Sequence, residues 1–263
     1  MVSPDSHELL ALASRLATEA SALVVAGRRH LVVETKSSAT DAVTQMDKAS
    51  EAFIVEGITS ARPGDGLIGE EGSTRPSSTG VHWLIDPIDG TTNYLYGAHG
   101  FAISIAAQYE GQTIAGVVHD CVMGEQFTAT LGGGAFLDER PISASGLTEL
   151  SLALVATGFG YRADRRVRQA EVLAQIIGHV RDIRRRGSAA LDLCWTACGR
   201  ADAYFEVGLG PWDAAAGELI AREAGVLTSP LRDGHWEISL LAAPPALFES
   251  LRSLLATAGA GDV

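Results

Sequence analysis

The chain has 263 residues, 46% of them hydrophobic, and a formal net charge of −12 at pH 7. This acidity argues against a nucleic-acid groove as the main function, because such grooves cluster Lys and Arg. The three cysteines lack paired-ligand spacing, which excludes a disulfide framework and a zinc site. No apolar run approaches a membrane span and the first residues lack the basic start of a signal peptide, so a soluble, cytoplasmic protein is expected.

The N-terminal part is predicted to contain two helices with a polar loop between them. Apolar residues recur at helical spacing from Leu9 to Leu23 and indicate an amphipathic helix that stops before Gly27. The hydroxyl-rich stretch from Glu34 to Thr40 is predicted to be a loop, and a second helix follows around Phe53.

The middle of the chain is predicted to be an antiparallel meander. Its strand-like segments, separated by turn residues, are Trp83–Asp86, Phe101–Tyr109, Thr113–His119, Gln126–Thr130 and Ala135–Leu137. The Gly132 to Gly134 triplet lacks the Lys-Ser/Thr of a P-loop and the spaced glycines of a dinucleotide fingerprint, so it is predicted to be a hairpin turn.

The C-terminal half is predicted to alternate strands and helices. The strands are Leu152–Thr157 and Asp202–Val207, and the helices are Val167–Ile177, Gly187–Cys198, Pro211–Ala224 and Ala246–Leu255. No low-complexity linker divides these elements. We therefore predict a single domain over residues 1–263, with two lobes allowed and a break near 145–150.

The segment from Trp83 to Tyr94 carries the strongest chemical pattern. An apolar run leads to Asp86-Pro87, and Pro87 biases the preceding residue toward extended geometry, so the strand is expected to end at Asp86. Asp89 and Gly90 follow, and Thr91 or Thr92 can begin a helix. Carboxylates beside helix-terminal amides indicate a divalent cation shared with a phosphate. Aspartates that only cap a turn are the alternative.

Other acidic segments strengthen the chemical interpretation. Gly69-Glu70-Glu71 follows an apolar pair, Asp41 to Asp47 precedes the second helix, and Pro211-Trp212-Asp213 opens a later one. Together and in order, these motifs resemble the inositol monophosphatase family, especially its bacterial members, over nearly the whole chain. The resemblance implies an α/β fold, a layered α-β-α-β-α sandwich of the inositol monophosphatase and fructose bisphosphatase type.

The resemblance also implies a set of metal ligands. They are Glu70, Asp86, the Ile88 carbonyl, Asp89 and Asp213. Converging carboxylates repel one another by about 4 kcal/mol per pair at ~4 Å and an effective dielectric near 20, a penalty that cations remove. Oxygen ligands favour Mg²⁺, with Mn²⁺ as a substitute, in two or three sites. Asp213 could instead only stabilise its helix dipole.

Catalytic roles are likewise implied by the resemblance. Glu70, Thr91 and Asp47 would activate the attacking water, the N–H groups of Gly90 and Thr91 would hold the phosphate, and Lys36 would support the site. Two alternatives stay open, because Thr91 could be a simple N-cap and Asp47 could complete a capping box.

The substrate is implied to be inositol 1-phosphate or a similar small polyol monophosphate. Glu206 matches the family's hydroxyl-binding carboxylate, and Gly187, Ser188 and Ala189 would line the same pocket. Thr92 stands where relatives acting on histidinol phosphate or phosphoadenosine phosphate place Lys. Histidinol phosphate, fructose 1,6-bisphosphate and phosphoadenosine phosphate are nevertheless alternatives within the fold.

A function of another class is also considered. The Arg-rich segment from Arg162 to Arg186 could bind a macromolecule, although a solvated helix face or a dimer contact would explain it too. The resemblance implies a homodimer and inhibition by lithium, and the composition predicts no membrane partner.

Overall fold

The computed structural model describes residues 4–28, 33–36, 42–232 and 238–263. Its helices are α1 (Ser6–Gly27), α2 (Gln45–Ala61), α3 (Thr91–Leu95), α4 (Ala163–Ile176), α5 (Ala189–Ala197), α6 (Pro211–Glu223) and α7 (Pro245–Thr257). Short 3₁₀ turns occur at Leu150–Leu152, Ile177–His179 and Ala260–Asp262.

A large mixed sheet occupies the first half of the chain. The strands up to residue 141 are β1 (Val33–Thr35), β2 (Ala42–Thr44), β3 (Gly66–Gly69), β4 (Thr74–Arg75), β5 (Val81–Asp89), β6 (Ala102–Tyr109), β7 (Gln112–Asp120), β8 (Gln126–Thr130), β9 (Gly134–Leu137) and β10 (Arg140–Pro141). β1 and β2 form a separate antiparallel pair. The others form one sheet in the order β10-β9-β8-β7-β6-β5-β3-β4, in which β3 and β5 are parallel. The predicted meander is confirmed by the antiparallel pairing from β5 through β9.

A second sheet follows in the other half. Its strands are β11 (Leu154–Thr157), β12 (Asp182–Arg184), β13 (Ala203–Leu209), β14 (Leu227–Pro230) and β15 (Ile238–Ala243). They lie in the order β12-β11-β13-β15-β14, with β11 parallel to both of its neighbours.

The strand alternation explains how five layers form. Successive side chains on a strand point to opposite faces. Trp83 of β5 therefore packs with α1 and α2, while Leu84 packs with α5 and α6. In the second sheet Tyr204 of β13 joins the α5 and α6 core, whereas Phe205 packs with α4 and α7. The implied α-β-α-β-α sandwich is confirmed, with α5 and α6 between the two sheets.

The same alternation sets the position of the acidic residues. Asp86 shares the face of Leu84, and Glu206 shares the face of Tyr204, because residues two apart on a strand point the same way. Both carboxylates are thereby directed to the layer of α5 and α6. The site should consequently lie at one edge of this middle layer.

The end of β5 differs from the prediction. The strand continues through Pro87 to Asp89, because a bulge between Asp86 and Asp89 absorbs the two intervening residues while the pairing with β6 resumes. A proline without an N–H is tolerated where a bulged residue needs no ladder hydrogen bond.

Other boundaries differ slightly. Gly27 is the last residue of α1, and the predicted strand from Leu152 begins two residues later, after a 3₁₀ turn. In the predicted loop from Glu34 to Thr40, residues 34 and 35 instead pair with β2, while residues 37–40 lie outside the described residues.

The helix α1 is long and apolar enough to cross a membrane when judged by length and composition alone, which corrects the expectation that no segment reaches that length. Its buried face, which includes Leu9, Leu16 and Val24, packs on the large sheet and α2. A core helix of a folded protein passes the same test, so this feature alone does not indicate a membrane span.

Candidate active site

The bulge in β5 places two aspartates at the middle layer. Asp86 pairs in register with Ser104, and Asp89 pairs with Ala102. The Ile88 N–H turns back to donate to Asp86 Oδ1 at 3.1 Å. Both aspartates are buried, Asp86 almost completely.

The start of α5 binds the Asp89 carboxylate. Ser188, the N-cap of α5, donates its hydroxyl to Asp89 Oδ2 at 2.6 Å, and the Ala190 N–H donates to the same oxygen at 2.7 Å. The Ala189 N–H lies 3.3 Å from Oδ1. A carboxylate at a helix N-terminus is stabilised by unpaired amides and the positive end of the helix dipole.

Asp213 projects from the first turn of α6. Pro211 is at the first helical position, as predicted, and the Gly210 N–H donates to Asp213 Oδ2 at 2.7 Å. Asp213 therefore does stabilise the start of its helix, which was the predicted alternative. The hydrogen bond from Gly210 occupies one of its two carboxylate oxygens.

Glu70 reaches the same edge from a neighbouring strand. It follows β3, which runs parallel to β5, and its N–H donates to the Ile85 carbonyl at 3.1 Å. Its Oε1 lies 2.8 Å from the ammonium of Lys36, which also contacts Glu71 at 2.5 Å. Burial lowers the pKa of Lys36, but the two carboxylates outweigh this and raise it overall.

The four carboxylates influence one another electrostatically. Burial raises the pKa of Asp86 well above its ordinary value, and the charges of Glu70, Asp89 and Asp213 raise it further. Burial likewise raises the pKa of Asp213 strongly, again with help from Glu70 and Asp89. The pKa of Asp89 is raised to about 6, chiefly by burial, although its hydrogen bonds to α5 oppose the shift.

These side chains are near one another but not arranged as a finished metal site. In the part of the chain that the structure describes, no three His, Cys, Asp or Glu side chains are placed to hold an ion as they stand. Asp89, Asp213 and Glu70 each direct an oxygen to a protein donor, so these oxygens do not point to a common centre. All-carboxylate oxygen donors nevertheless suit a hard divalent cation.

Asp47 and Thr91 form a buried pair beside the carboxylates. Asp47 completes the predicted capping box of α2, because its Oδ2 accepts from the Thr44 N–H at 2.8 Å and from the Thr44 hydroxyl at 2.6 Å. Its other oxygen lies 3.0 Å from the Thr91 hydroxyl, which is also 3.1 Å from the Ile88 carbonyl. Capping and contact with the site therefore coexist. Burial raises the pKa of Asp47.

The turn before α3 requires glycine. Gly90, not Thr91, is the N-cap, and its φ of 94° lies in the left-handed region. A Cβ there would lie 2.8 Å from the Gly100 carbonyl. Asn93 fixes this turn by donating to the carbonyls of Gly100 at 2.7 Å and Arg186 at 2.5 Å.

Glu206 occupies a confined position on β13. The Tyr204 hydroxyl donates to Glu206 Oε2 at 2.9 Å, and the carboxylate packs so closely on Gly158 that a Cβ there would collide with it. Burial raises the pKa of Glu206 to about 7.

Comparisons with known proteins agree on one family. The model of the inositol monophosphatase family matches residues 5–257. The chain is 44% identical to the inositol-1-monophosphatase SuhB of Mycobacterium tuberculosis, over 97% of this chain and 96% of the relative. It is 40% identical to the Nus factor SuhB of Escherichia coli K12, over 87% of each. The chain belongs to the inositol monophosphatase family. The crystal structure of the extragenic suppressor protein suhB of Bartonella henselae superposes with a TM-score of 0.88 at 32% identity, covering 94% of this chain and 98% of that one.

In this member of the inositol monophosphatase family, most of the residues predicted for the site gather at one edge of the middle layer. The residues that the structure brings together there are Lys36, Asp47, Glu70, Asp86, Ile88, Asp89, Gly90, Thr91, Gly187, Ser188, Ala189 and Asp213. Glu206 approaches the same region, since its charge contributes to the raised pKa of Asp213.

Ser188 differs from its predicted role. It was expected to line the substrate pocket, but its side chain is almost fully buried and its hydroxyl binds Asp89. It also accepts from the Leu191 N–H at 3.2 Å as the cap of α5. The hydroxyl therefore orients a carboxylate instead of facing a ligand.

Four residues of this family member were not singled out from the sequence. Ser50 and Glu51 contact the turns that carry the carboxylates, and Tyr204 and Gly158 enclose Glu206. A signal existed for Ser50 and Glu51, because they follow a predicted site residue on α2 at helical spacing. Gly158 lies in a stretch that resembles bacterial members of the family, but its contact with Glu206 depends on the pairing of β11 with β13.

Local ion pairs engage part of the Arg-rich segment. Its ion pairs are Arg162–Asp164 at 2.7 Å, Arg184–Asp182 at 2.6 Å and Arg186–Asp192 at 3.0 Å. The Arg186 guanidinium also lies over the Trp195 ring, 3.2 Å from its centroid. The segment holds eight Arg against three Asp and Glu, so it keeps a net positive charge.

Proposed function

We propose that the protein is a Mg²⁺-dependent phosphomonoesterase that hydrolyses inositol 1-phosphate or a similar small polyol monophosphate. The observation that carries the proposal is the cluster of Glu70, Asp86, Asp89 and Asp213, whose burial and mutual repulsion favour binding of positive charge. The name of the Mycobacterium tuberculosis relative supports the same substrate class.

The donor set fits the proposed cations. Glu70, Asp86, the Ile88 carbonyl, Asp89 and Asp213 would hold Mg²⁺, and Mn²⁺ would be accepted because the donors are all oxygens. Two or three bound ions would neutralise the phosphoryl oxygens and the departing oxygen of the polyol.

Asp47 and Thr91 are assigned to proton transfer. The Thr91 hydroxyl can donate to Asp47 Oδ1 while it accepts a proton from the attacking water, so Asp47 is the final acceptor. Burial raises the pKa of Asp47, which makes its carboxylate a stronger base. Glu70 would assist through the ion that it helps to hold.

Binding groups for the rest of the substrate surround this pair. The N–H groups of Gly90 and Thr91 are assigned to the phosphate, since no side chain caps the start of α3. The Glu206 carboxylate is assigned to vicinal hydroxyls, with Gly187 and Ala189 beside them. Lys36 keeps Glu70 in place through its ion pair.

Removal of one central carboxylate tests the proposal. We expect Asp89→Asn to lower phosphate release from inositol 1-phosphate with Mg²⁺ by more than about 100-fold, because the ligand charge is lost and one of the two ligand oxygens becomes an NH₂ group. Circular dichroism checks that the variant remains folded. The matched control is Asp164→Asn, an exposed aspartate on α4 that should keep wild-type turnover. Substantial turnover by Asp89→Asn would contradict the proposed chemistry.

The choice of substrate needs a separate comparison. We expect kcat/KM to be highest for inositol 1-phosphate among four monoesters that include histidinol phosphate, fructose 1,6-bisphosphate and phosphoadenosine phosphate. A preference of about 100-fold for one of the others would reassign the substrate while leaving the phosphatase class intact.

A second function is favoured by one relative's name, the Nus factor SuhB. Under this alternative the segment from Arg162 to Arg186 binds a macromolecule. The proposal predicts salt-sensitive capture of RNA or protein that persists in Asp89→Asn and is lost when Arg165 and Arg166 are changed to Ala. Capture that is unaffected by these arginine changes would rule out this surface.

A further inference from the structure

One face of α2 carries three buried polar side chains that contact the candidate site. Asp47, Ser50 and Glu51 lie at positions i, i+3 and i+4, which places them side by side on the helix. All three are almost completely buried. A buried polar group is destabilising unless it is hydrogen-bonded, so the partners of these side chains indicate what the face does.

Each side chain binds a different turn of the site. Asp47 contacts Thr91 at the start of α3, as described above. The Ser50 hydroxyl donates to the Pro87 carbonyl, in the bulge of β5, at 3.0 Å. Glu51 accepts from the Glu71 N–H at 2.8 Å through Oε2.

Glu51 uses its second oxygen in the same turn. Its Oε1 accepts from the Ser73 N–H at 2.9 Å, so one carboxylate spans the turn that follows β3. That turn is closed by a backbone bond from the Gly69 N–H to the Ser73 carbonyl at 2.8 Å. A Cβ at Gly69 would collide with the Glu51 carboxylate, so the fit requires glycine.

We infer that Glu51 is a positioning residue, which holds the turn carrying Glu70 at a fixed place relative to Asp86. The inference rests on the proposed function, because it concerns the same site. Since Ser50 binds the Asp86 turn and Glu51 binds the Glu70 turn, the rigid helix between them sets the separation of the two carboxylates. Glu51 acts through Glu70 and does not itself touch the substrate.

A carboxylate is needed at this position because the turn presents two donors, and each donor needs its own acceptor oxygen. Two backbone N–H groups donate to Glu51, one to each oxygen of its side chain. A Gln side chain offers one oxygen, and its NH₂ group would face the other N–H donor. The turn would then lose one bond and shift, which would loosen the placement of Glu70. Changes in such supporting groups typically lower metal affinity or activity by about 10- to 100-fold.

The test measures Mg²⁺ binding without substrate. Titration calorimetry on the full chain compares Glu51→Gln with Glu56→Gln, an exposed glutamate on the same helix. We expect the Kd for Mg²⁺ to rise by about 10- to 100-fold in Glu51→Gln and to stay unchanged in the control. In steady-state assays, kcat should recover at saturating Mg²⁺ and the KM for inositol 1-phosphate should not move, a pattern that general destabilisation would not produce.

A milder variant covers the case in which Glu51→Gln does not fold. Ser50→Ala removes a single hydrogen bond and is expected to weaken Mg²⁺ binding by about 2- to 10-fold. Wild-type Mg²⁺ affinity in the folded variants would overturn the inference. Failure of the proposed function is a separate result, because it would appear as wild-type protein that binds Mg²⁺ but releases no phosphate from any monoester tested.

Discussion

At the scale of single residues, Glu206 shows how two neighbours can orient a carboxylate. The Tyr204 hydroxyl binds one of its oxygens, and Gly158 leaves just enough space for the group. With that oxygen already engaged, the direction of the other is fixed. A ligand's hydroxyls would meet a carboxylate of defined orientation.

Removal of the Tyr204 hydroxyl should therefore affect substrate choice more than chemistry. We expect Tyr204→Phe to lower kcat/KM for inositol 1-phosphate by about 10-fold, since a hydrogen bond to a charged group contributes about 1.5–3 kcal/mol. For p-nitrophenyl phosphate, which lacks vicinal hydroxyls, kcat/KM should change little. Tyr96→Phe, at an exposed position, is the matched control. Equal losses on both substrates would show that Tyr204 only supports the fold.

The sequence was informative about residue types and less so about side-chain directions. Asp86, Asp89 and Asp213 were predicted as ligands because their motifs resemble those of the family, and all three lie at one edge of the middle layer. The role of Ser188 could not be predicted, because its hydroxyl direction depends on where α5 begins relative to β5. Such a relation involves residues that are 99 positions apart.

At the scale of elements, the start of α5 and the bulged end of β5 form one unit. Three donors from residues 188–190 surround Asp89, so the helix sets the orientation of a proposed metal ligand. The bulge itself was not predicted. A proline after an aspartate is typical of a strand end, and only the pairing with β6 shows that the strand continues.

Loss of the Ser188 hydroxyl should loosen this unit. We expect Ser188→Ala to weaken Mg²⁺ binding by about 10- to 100-fold, because Asp89 keeps its backbone donors but loses its shortest hydrogen bond. Calorimetry without substrate measures the change, and Ser253→Ala on the exposed side of α7 serves as control. If Ser188→Ala bound Mg²⁺ like the wild type, the hydrogen bond from Ser188 to Asp89 would have no part in metal affinity.

At the scale of the whole molecule, the buried carboxyl groups link stability to pH. Burial raises the pKa of Asp192 to about 7 even though Arg186 opposes the shift, and it also raises the pKa of Glu206 to about 7. The native state therefore keeps protons that the unfolded chain releases near pH 4. The stabilisation that these two groups contribute is fully present below about pH 4 and is lost as the pH rises through about 7.

In the presence of a chelator, the melting temperature should be lower at pH 7.5 than at pH 5.5. Each kcal/mol lost lowers Tm by about 2–4 °C in a chain of this size. Burial lowers the pKa of His119, which makes the protein more stable as the pH rises and so opposes this effect. The variant Glu206→Gln isolates the contribution of Glu206. Its melting temperature should fall less between pH 5.5 and pH 7.5 than that of the wild type. Mg²⁺ should raise Tm more at pH 7.5, because its ligands must be deprotonated. A Tm independent of pH in the wild type and in Glu206→Gln would contradict this account.

The layered architecture was implied by family resemblance and not by periodicity, which revealed most helices and the meander but neither β14 nor β15. β15 begins directly after residues 233–237, which lie outside the described residues, and its run of apolar side chains lacks alternation because it is buried on both faces. The predicted single domain, homodimer and cytoplasmic location stay predictions. The core around α5 and α6 contains side chains from both sheets, which favours one domain.

The apolar face of α1 has a consequence for how the chain is made. This helix ends at Gly27, but the strands β6, β7 and β8 that cover it begin only at Ala102. During synthesis, this face therefore cannot pack on the whole of its sheet until Thr130, the end of β8, has been translated, about 100 residues after Gly27. Over that interval its sheet-facing side chains stay exposed, which makes the nascent chain prone to aggregation.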